Sequence, residues 1–340
     1  MIAPIVDPAG RPASRWRFPQ PYGWRSVLFA IAVFAVLAVT GHRVEMDRAA
    51  VLTGGAIAAA AGSGQPSQVA RGFSTVVRQL FPLQLDERTD VDRIQDFDPR
   101  HLPPFARVET TEVRTQALNP DTLKLDTTVE TKAVLVQPFG YVFRVGQKLV
   151  ETLEIALWGT LLAVILGLPL ALLGARNLGF GRIVYILSRA VVSLCRAIPE
   201  LISALFLVLA YGFGPIAGVL ALAVHSAGFL GKFYAEDIEN ADRAPQEALT
   251  AIGAGRLKVF RAAILPQVMP QYIAYTLYVL DRNVRMATVI GLVGAGGIGQ
   301  ELKGRYDLYN YGHVGTILVA IFLLVLALDQ LASRLRARIL

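Results

Sequence analysis

Five apolar stretches, near 150–174, 184–211, 214–234, 268–292 and 314–333, fill the second half of this chain, and arginines mark the turns between them. A helix needs roughly 20 apolar residues to cross the hydrocarbon core of a bilayer. A span must also satisfy its own backbone groups, which restricts such segments to helices or closed barrels. Pro199 and the many glycines within these stretches suit membrane helices better than soluble ones. The composition agrees: 54% of residues are hydrophobic, 17% are charged, and the mean hydropathy is +0.48. A soluble domain of this size needs more polar surface. The expected fold class is therefore an all-α membrane protein.

A sixth stretch lies near the N-terminus. Val27 to Thr40 is apolar, and Tyr22 and Trp24 extend it as interfacial anchors into a short span over 24–41. No small-x-small cleavage site follows, so it reads as a retained span rather than a signal peptide. Residues 1–23, with Arg11, Arg15 and Arg17, read as a cytoplasmic tail. Arginines and lysines accumulate in cytoplasmic loops. Here they are Arg176 and Arg182, then Lys232, Arg243, Arg256, Lys258 and Arg261, then Arg334, Arg336 and Arg338. The opposite connections hold only Lys303 and Arg305. Six helices with both ends inside satisfy that asymmetry. The formal charge of +7 is thereby accounted for, and no basic patch interleaved with aromatics points to nucleic acid. Cys195 is the only cysteine, which excludes an internal disulfide and a thiolate metal cluster.

Residues 42–147 differ from the rest. They hold Asp86, Glu87, Asp90, Asp92, Asp96 and Asp98, and read as an extracytoplasmic insertion. The Ala/Gly stretch at 49–62 is too short and too Gly-rich for a span. Val108 to Gln137 is rich in Thr and Val around Asn119-Pro120-Asp121, a pattern for a small β-ribbon of two strands. A lone hairpin is marginal in water, so the ribbon leans either on its own subunit or on a substrate-delivery protein. The remaining divisions are a membrane domain over 148–335, containing a cytoplasmic loop at 236–267, and a cytoplasmic end at 336–340.

That loop contains Asp242-Arg-Ala-Pro-Gln-Glu-Ala-Leu-Thr-Ala-Ile-Gly253. Asp242 is a helix cap, Pro245 suits a first turn, and Glu247 lies near the positive helix start. Ala248, Leu249 and Ile252 fall on one face, and Gly253 and Gly255 end the helix. A helix so short, with a small apolar face toward cytosol, is useful only if something grips it. Glu247, Ala248, Gly253, Leu265 and Pro266 stand at the spacing of the EAA loop, and on that basis the chain resembles ABC importer permeases. Leu249 replaces the motif's second Ala, and Ala263 stands where Ile is usual. The resemblance runs over about 147–335 and is nearest to the phosphonate permeases, through Arg196-Ala-Ile-Pro-Glu200, His225-Ser-Ala-Gly-Phe-Leu-Gly-Lys232 and Asn283-Val-Arg-Met-Ala-Thr-Val-Ile-Gly291.

The resemblance implies a type I permease core of five helices. It implies that the loop carrying Glu247, Ala248, Leu249, Gly253, Leu265 and Pro266 couples to an ATPase, its short helix docking on the ATP-binding subunit. The implied partners are an ATPase dimer holding ATP and Mg²⁺, an extracytoplasmic substrate-binding protein, a second copy of this chain as a homodimer, and membrane lipid. The implied cargo is phosphonate, phosphite or phosphate. This chain itself would bind no cofactor and would not be an enzyme. An ion-coupled secondary transporter or channel is the alternative, and it leaves the coupling helix without a purpose.

Charges in a membrane are costly unless paired or hydrated, so each is a functional candidate. Arg196 and Glu200 are four residues apart, as are Asp281 and Arg285, and each couple can pair within its helix. Arg282 has no acid in its own turn, which leaves three arginines against two acids. Guanidinium groups match phosphorus oxyanions in a bidentate manner. Arg196, Glu200, Arg282, Asn283 and Arg285 therefore either line a substrate pathway or form one network holding helices together. His225 and Ser226 read as helix-to-helix hydrogen-bonding residues, and Tyr272, Tyr275 and Tyr278 as a packing stripe. Gly294-Ala-Gly296-Gly-Ile-Gly299 fits a dinucleotide fingerprint by letter, but it follows a membrane helix instead of a strand and reads as a tight turn with close packing. Lys232 lacks the spacing of a phosphate-binding loop, and no metal or hydrolase constellation stands out.

Overall fold

The computed structural model describes residues 23–60, 62, 68–95, 97–99, 102–118 and 125–339. The expected N-terminal tail and the turn at Asn119-Pro120-Asp121 lie outside them. The chain forms two compact units, Met1–Arg78 and Gln79–Leu340.

The first unit holds α1 (Trp24–Arg43), α2 (Met46–Ala60) and most of α3 (Gln68–Leu80). α1 is 20 residues long with a mean hydropathy of 1.9, as expected of a span. The Ala/Gly stretch becomes α2, a helix of 15 residues, below the length of a span. α3 was not legible in the sequence as read. It carries Val69, Phe73, Val76, Val77 and Leu80 along one side, at i, i+4, i+7, i+8 and i+11.

The second unit begins with a three-stranded antiparallel sheet of β1 (Glu87–Asp90), β2 (Arg107–Leu118) and β3 (Leu125–Gln137), in the order β1-β3-β2. The expected ribbon is β2 with β3, in register from Arg107↔Val136 to Leu118↔Leu125. β1 adds a short third strand at its foot, Glu87↔Gln137 to Asp90↔Val134. The foot leans on its own subunit. Leu135 and Val136 are buried, Arg144 pairs with Glu87 at 2.6 Å, and Thr316 Oγ1 donates to the Gln84 carbonyl at 2.8 Å.

The helical bundle follows: α4 (Gly140–Leu173), α5 (Arg182–Ala197), α6 (Glu200–Tyr211), α7 (Pro215–Asn240), α8 (Arg243–Ala251), α9 (Arg256–Val259), α10 (Leu265–Gly291), α11 (Gly297–Asp307) and α12 (Tyr311–Ile339). α4 starts at Gly140, eight residues before the expected boundary at 148. Its 34 residues span about 50 Å, with the sheet at one end and the α8 region at the other. α9 runs into α10 through one widened π turn, Phe260–Ile264.

The single helix expected over 184–211 is broken. α5 and α6 meet at 88°, and together they have the length and composition of one span. The cause is local: Pro Cδ disfavours the α region for the residue before it. Ile198 accordingly sits at φ −89°, ψ 120°, and Pro199 at φ −59°, ψ 141°. Among the described residues, α1, α4, α7 and α12 also qualify as spans by length and composition. α10, expected as the sixth, has the length at 27 residues, but Asp281, Arg282 and Arg285 with Gln267 and Gln271 make it too polar for that test. It is nonetheless a core element, burying Val268, Tyr272, Val279, Val284, Ala287 and Ile290 against α4 and α7. Small residues let α4 and α7 approach closely, as membrane helices do where no hydrophobic force draws them together. The tyrosine stripe packs as expected: Tyr272 stacks on Tyr234 with ring centroids 3.9 Å apart, and its hydroxyl donates to the Tyr234 carbonyl at 2.8 Å.

Candidate coupling surface and membrane charge cluster

α8 is a nine-residue helix closed at both ends by its own sequence. Asp242 Oδ1 accepts from the Ala244 N–H at 3.1 Å. At the other end the Ala254 N–H donates to the Leu249 carbonyl and the Gly253 N–H to the Thr250 carbonyl, both at 3.0 Å. These are the two bonds of a Schellman motif, and Gly253 takes the left-handed conformation it requires, at φ +81°. The expected cap and stop are both present.

Two side chains fasten α8 to the bundle. Gln246 Nε2 donates to the carbonyls of Ala241 and Asp242, at 3.2 and 2.9 Å. Gln267, on the first turn of α10, accepts from the Asp242 N–H at 2.9 Å. Leu265 and Pro266 thus start the helix that holds α8, and do not themselves belong to α8. Glu247 and Ala248 are exposed and Leu249 is half-buried, while Ile252 is 79% and Leu257 68% exposed. An apolar tip of that exposure on a fastened helix is a surface built to be covered. A cleft of about 630 Å³ opens beside it, lined by Asn177, Gln246, Glu247, Thr250, Arg256 and Phe260. The neighbouring α4–α5 turn is tied to α7 by Arg189, which pairs with Glu239 at 3.1 Å, and by Asn177, which donates to the Ile238 carbonyl at 2.6 Å. Arg176 lies in the same turn and donates to the Tyr185 hydroxyl at 2.9 Å, a contact that raises its pKa further above the ordinary arginine value. Tyr185 and Arg189, both half-buried, hold the turn beside α8.

The membrane charges are arranged differently from the sequence expectation. Arg196 and Glu200 do not pair within a helix, because the break at Ile198-Pro199 separates them onto α5 and α6. Glu200, at the start of α6, is ion-paired with Arg282 of α10 and lies 3.2 Å from His225 Nε2 of α7. A carboxylate at a helix start also meets the positive end of the helix dipole. His225 Nδ1 is 3.1 Å from the Ile198 carbonyl, which the helix break leaves free of an intrahelical partner. Arg282 Nη2 lies 3.1 Å from His225 Nε2, and its guanidinium sits 5.8 Å from the Phe229 ring centre.

Asn283 does not join this cluster. It is 1% exposed, accepts from Ser226 Oγ at 3.0 Å and donates to Thr160 Oγ1 at 2.9 Å, so it ties α10 to α7 and α4. Adjacent positions on a helix point about 100° apart, which sends Arg282 and Asn283 to different faces. Arg285 pairs with Asp281 as expected and also reaches Asp329 of α12 at 3.4 Å. Asp329 removes the expected surplus: Arg196, Arg282 and Arg285 stand against Glu200, Asp281 and Asp329. A lone acid in the apolar run 314–333 was the signal that could have found it.

Residues 163–340 match the family of binding-protein-dependent transport system inner membrane components. The putative phosphite transport system permease protein HtxE of Stutzerimonas stutzeri is 57% identical over 260 residues, covering 76% of this chain and all of that protein. The chain belongs to this family. The phosphate-import permease protein PhnE of Mycolicibacterium smegmatis is 42% identical over 193 residues, 57% of this chain and 36% of that one. In fold, the permease is similar to a chain of the inward-facing MetNI methionine ABC transporter, with a TM-score of 0.52 at 23% identity, covering 58% of this chain and 97% of that chain. As an ABC permease of the inner membrane, it is a transport component that works with an ATP-hydrolysing subunit and a substrate-binding protein. The relatives match the ABC permease expectation drawn from the EAA loop.

Proposed function

We propose that this permease forms the translocation pathway for phosphonate or a related phosphorus oxyanion, phosphite or phosphate, and is driven through α8 by a separate ATPase. The observation that carries the coupling half is α8 itself, capped at both ends, fastened to α7 and α10, and presenting Ile252 outward. Relatives named for phosphite and phosphate favour an oxyanion cargo. The arginines of the membrane cluster fit the same chemistry. Arg282, Arg285 and Arg196 line the pathway, Glu200 holds Arg282 between transport events, and Asn283 keeps the helices in place. Two copies assemble as a homodimer in lipid, each with its N- and C-termini and α8 in the cytoplasm and its sheet outside. Substrate arrives from an extracytoplasmic binding protein. ATP and Mg²⁺ are held by the ATPase dimer, and this chain binds no cofactor and catalyses no reaction.

The test is Gly253→Asp in proteoliposomes containing the ATPase and the binding protein. A side chain at φ +81° is strained by about 1–2 kcal/mol, and the added charge lies against the docking tip. Uptake should fall at least about tenfold and the ATPase should co-purify poorly, a loss equivalent to roughly 1.4 kcal/mol of docking. Undiminished ATP-driven uptake would remove α8 from the coupling role. Uptake that persists without ATP would instead point to an ion-coupled transporter.

A further inference from the structure

We propose that Glu200, His225 and Arg282 form a proton-coupled exchange site for the oxyanion, in which protonation of His225 draws Glu200 away from Arg282 and frees the guanidinium for substrate. This rests on the oxyanion-pathway reading above. His225 is a positioning residue here, acting on the anion through Arg282.

The hydrogen-bond pattern fixes the ring's tautomer. A carbonyl only accepts, so the contact at 3.1 Å between Nδ1 and the Ile198 carbonyl puts a proton on Nδ1. In the neutral ring, Nε2 then carries a lone pair and accepts from Arg282 Nη2, 3.1 Å away. Nε2 also faces a Glu200 oxygen at 3.2 Å, acceptor against acceptor, and Arg282 bridges the two. A proton on Nε2 reverses both contacts. The Glu200 contact becomes a charge-assisted N–H···O⁻ bond, and the Arg282 contact becomes donor against donor. Glu200 is then shared with a second cation, and Arg282 loses one acceptor outright.

Arg282 already has an unused donor. Its Nη1 is buried with no hydrogen-bond partner among the described residues. A phosphorus oxyanion accepts at two oxygens, which is what a guanidinium with one free and one released nitrogen can satisfy. The Phe229 ring at 5.8 Å supports the guanidinium as it changes partner.

The charge balance favours a proton. With His225 neutral, the three arginines and three acids of the cluster cancel. An anion entering that balanced set is uncompensated, at a cost the membrane interior makes severe. One proton on His225 restores neutrality for a monoanion. The charged groups facing the ring are Glu200 from α6 and Arg282 from α10. From α5, Arg196 and Cys195 pack beside Gly228, one turn further along α7. The α4 segment from 156 to 170, which packs against this part of α7, contains no titratable residue. The proton enters from the aqueous side with the anion and remains on the imidazole until the anion leaves; no covalent bond changes.

The experiment measures ATP-driven uptake of radiolabelled phosphite, phosphate and methylphosphonate by the complete transporter in proteoliposomes. Wild type, His225→Gln and Glu200→Gln are compared, each rate divided by the ATPase rate of the same preparation. All three meet the same substrate charge at each pH, so titration of the substrate cancels in their ratios. Between about pH 8 and about pH 5.5, the ratio of wild type to His225→Gln should rise about fivefold as the pH falls. Glu200→Gln has no carboxylate to hand over, and its ratio to His225→Gln should stay flat. If His225→Gln does not assemble, the rise appears in wild type over Glu200→Gln. A constant ratio of wild type to the assembled variants overturns the exchange site while leaving the oxyanion pathway standing. Failure of wild type to take up any of the three anions, with ATPase activity intact, overturns the pathway reading as well.

Discussion

Arg282 is the residue on which two roles converge, and substitution can separate them. It neutralises Glu200, which lies almost wholly inside the bundle, and it offers a donor that no group among the described residues uses. Arg282→Ala alone conflates the roles, because it leaves a carboxylate unpaired at a cost of about 3–5 kcal/mol. Adding Glu200→Gln removes that charge. The double variant should therefore regain a stable complex with its ATPase, judged by co-purification, while uptake stays at least about tenfold below wild type, the equivalent of losing one charged hydrogen bond of about 1.5–3 kcal/mol. Uptake returning with assembly would make the arginine a packing residue only. The sequence named this arginine but could not supply its partner, since Glu200 is 82 residues away. Pairing at i, i+4 was legible for Asp281 and Arg285, where the helix is continuous. It failed for Arg196 and Glu200, where a proline intervenes.

At the scale of elements, legibility follows how local the cause is. α8 could be read because Asp242 and Gly253 lie at its own ends. The bend between α5 and α6 needed more than the proline, because membrane helices also carry prolines without breaking: Pro169 sits inside α4 and Pro270 inside α10. β1 is four residues, Glu-Arg-Thr-Asp, with no apolar alternation, and exists only because β3 offers an edge. The glycine-rich turn between α10 and α11 was legible as a place of close packing, and the structure shows how close. A Cβ on Gly299 would lie 2.0 Å from the Thr288 carbonyl oxygen and 2.9 Å from Gly291 Cα, both backbone atoms that cannot swing aside. Gly299→Ala should therefore cost about 1–3 kcal/mol or more and lower the thermal midpoint of the purified permease. Gly304, on the same helix, has nothing within 4 Å of its Cβ position, and Gly304→Ala should leave the midpoint unchanged or raise it, since Ala exceeds Gly by about 1 kcal/mol within a helix. Equal effects of the two would contradict the packing at the turn.

For the whole molecule, the proposed orientation follows from two independent asymmetries. One is in the sequence: lysines and arginines gather in the loops at the α8 end, and acids gather around the sheet. The other is in the structure: α4 carries the sheet at its start and the α8 region at its finish, a separation of about 50 Å, which exceeds a hydrocarbon core of about 30 Å. A rigid helix of that length cannot place both ends on one side of a bilayer that it crosses. The positive-inside rule then predicts that the α8 end is the cytoplasmic one. Labelling with a membrane-impermeant thiol reagent checks this directly, because the chain has a single cysteine to remove. In a Cys195→Ser background, Phe105→Cys, at a position 83% exposed beside the sheet, should label in intact spheroplasts. Ile252→Cys, 79% exposed on α8, should label only after the membrane is opened, and then only when the ATPase is absent or stripped away. Labelling of position 252 from outside would invert the molecule, and an ATP-hydrolysing partner in the cytoplasm could no longer reach α8.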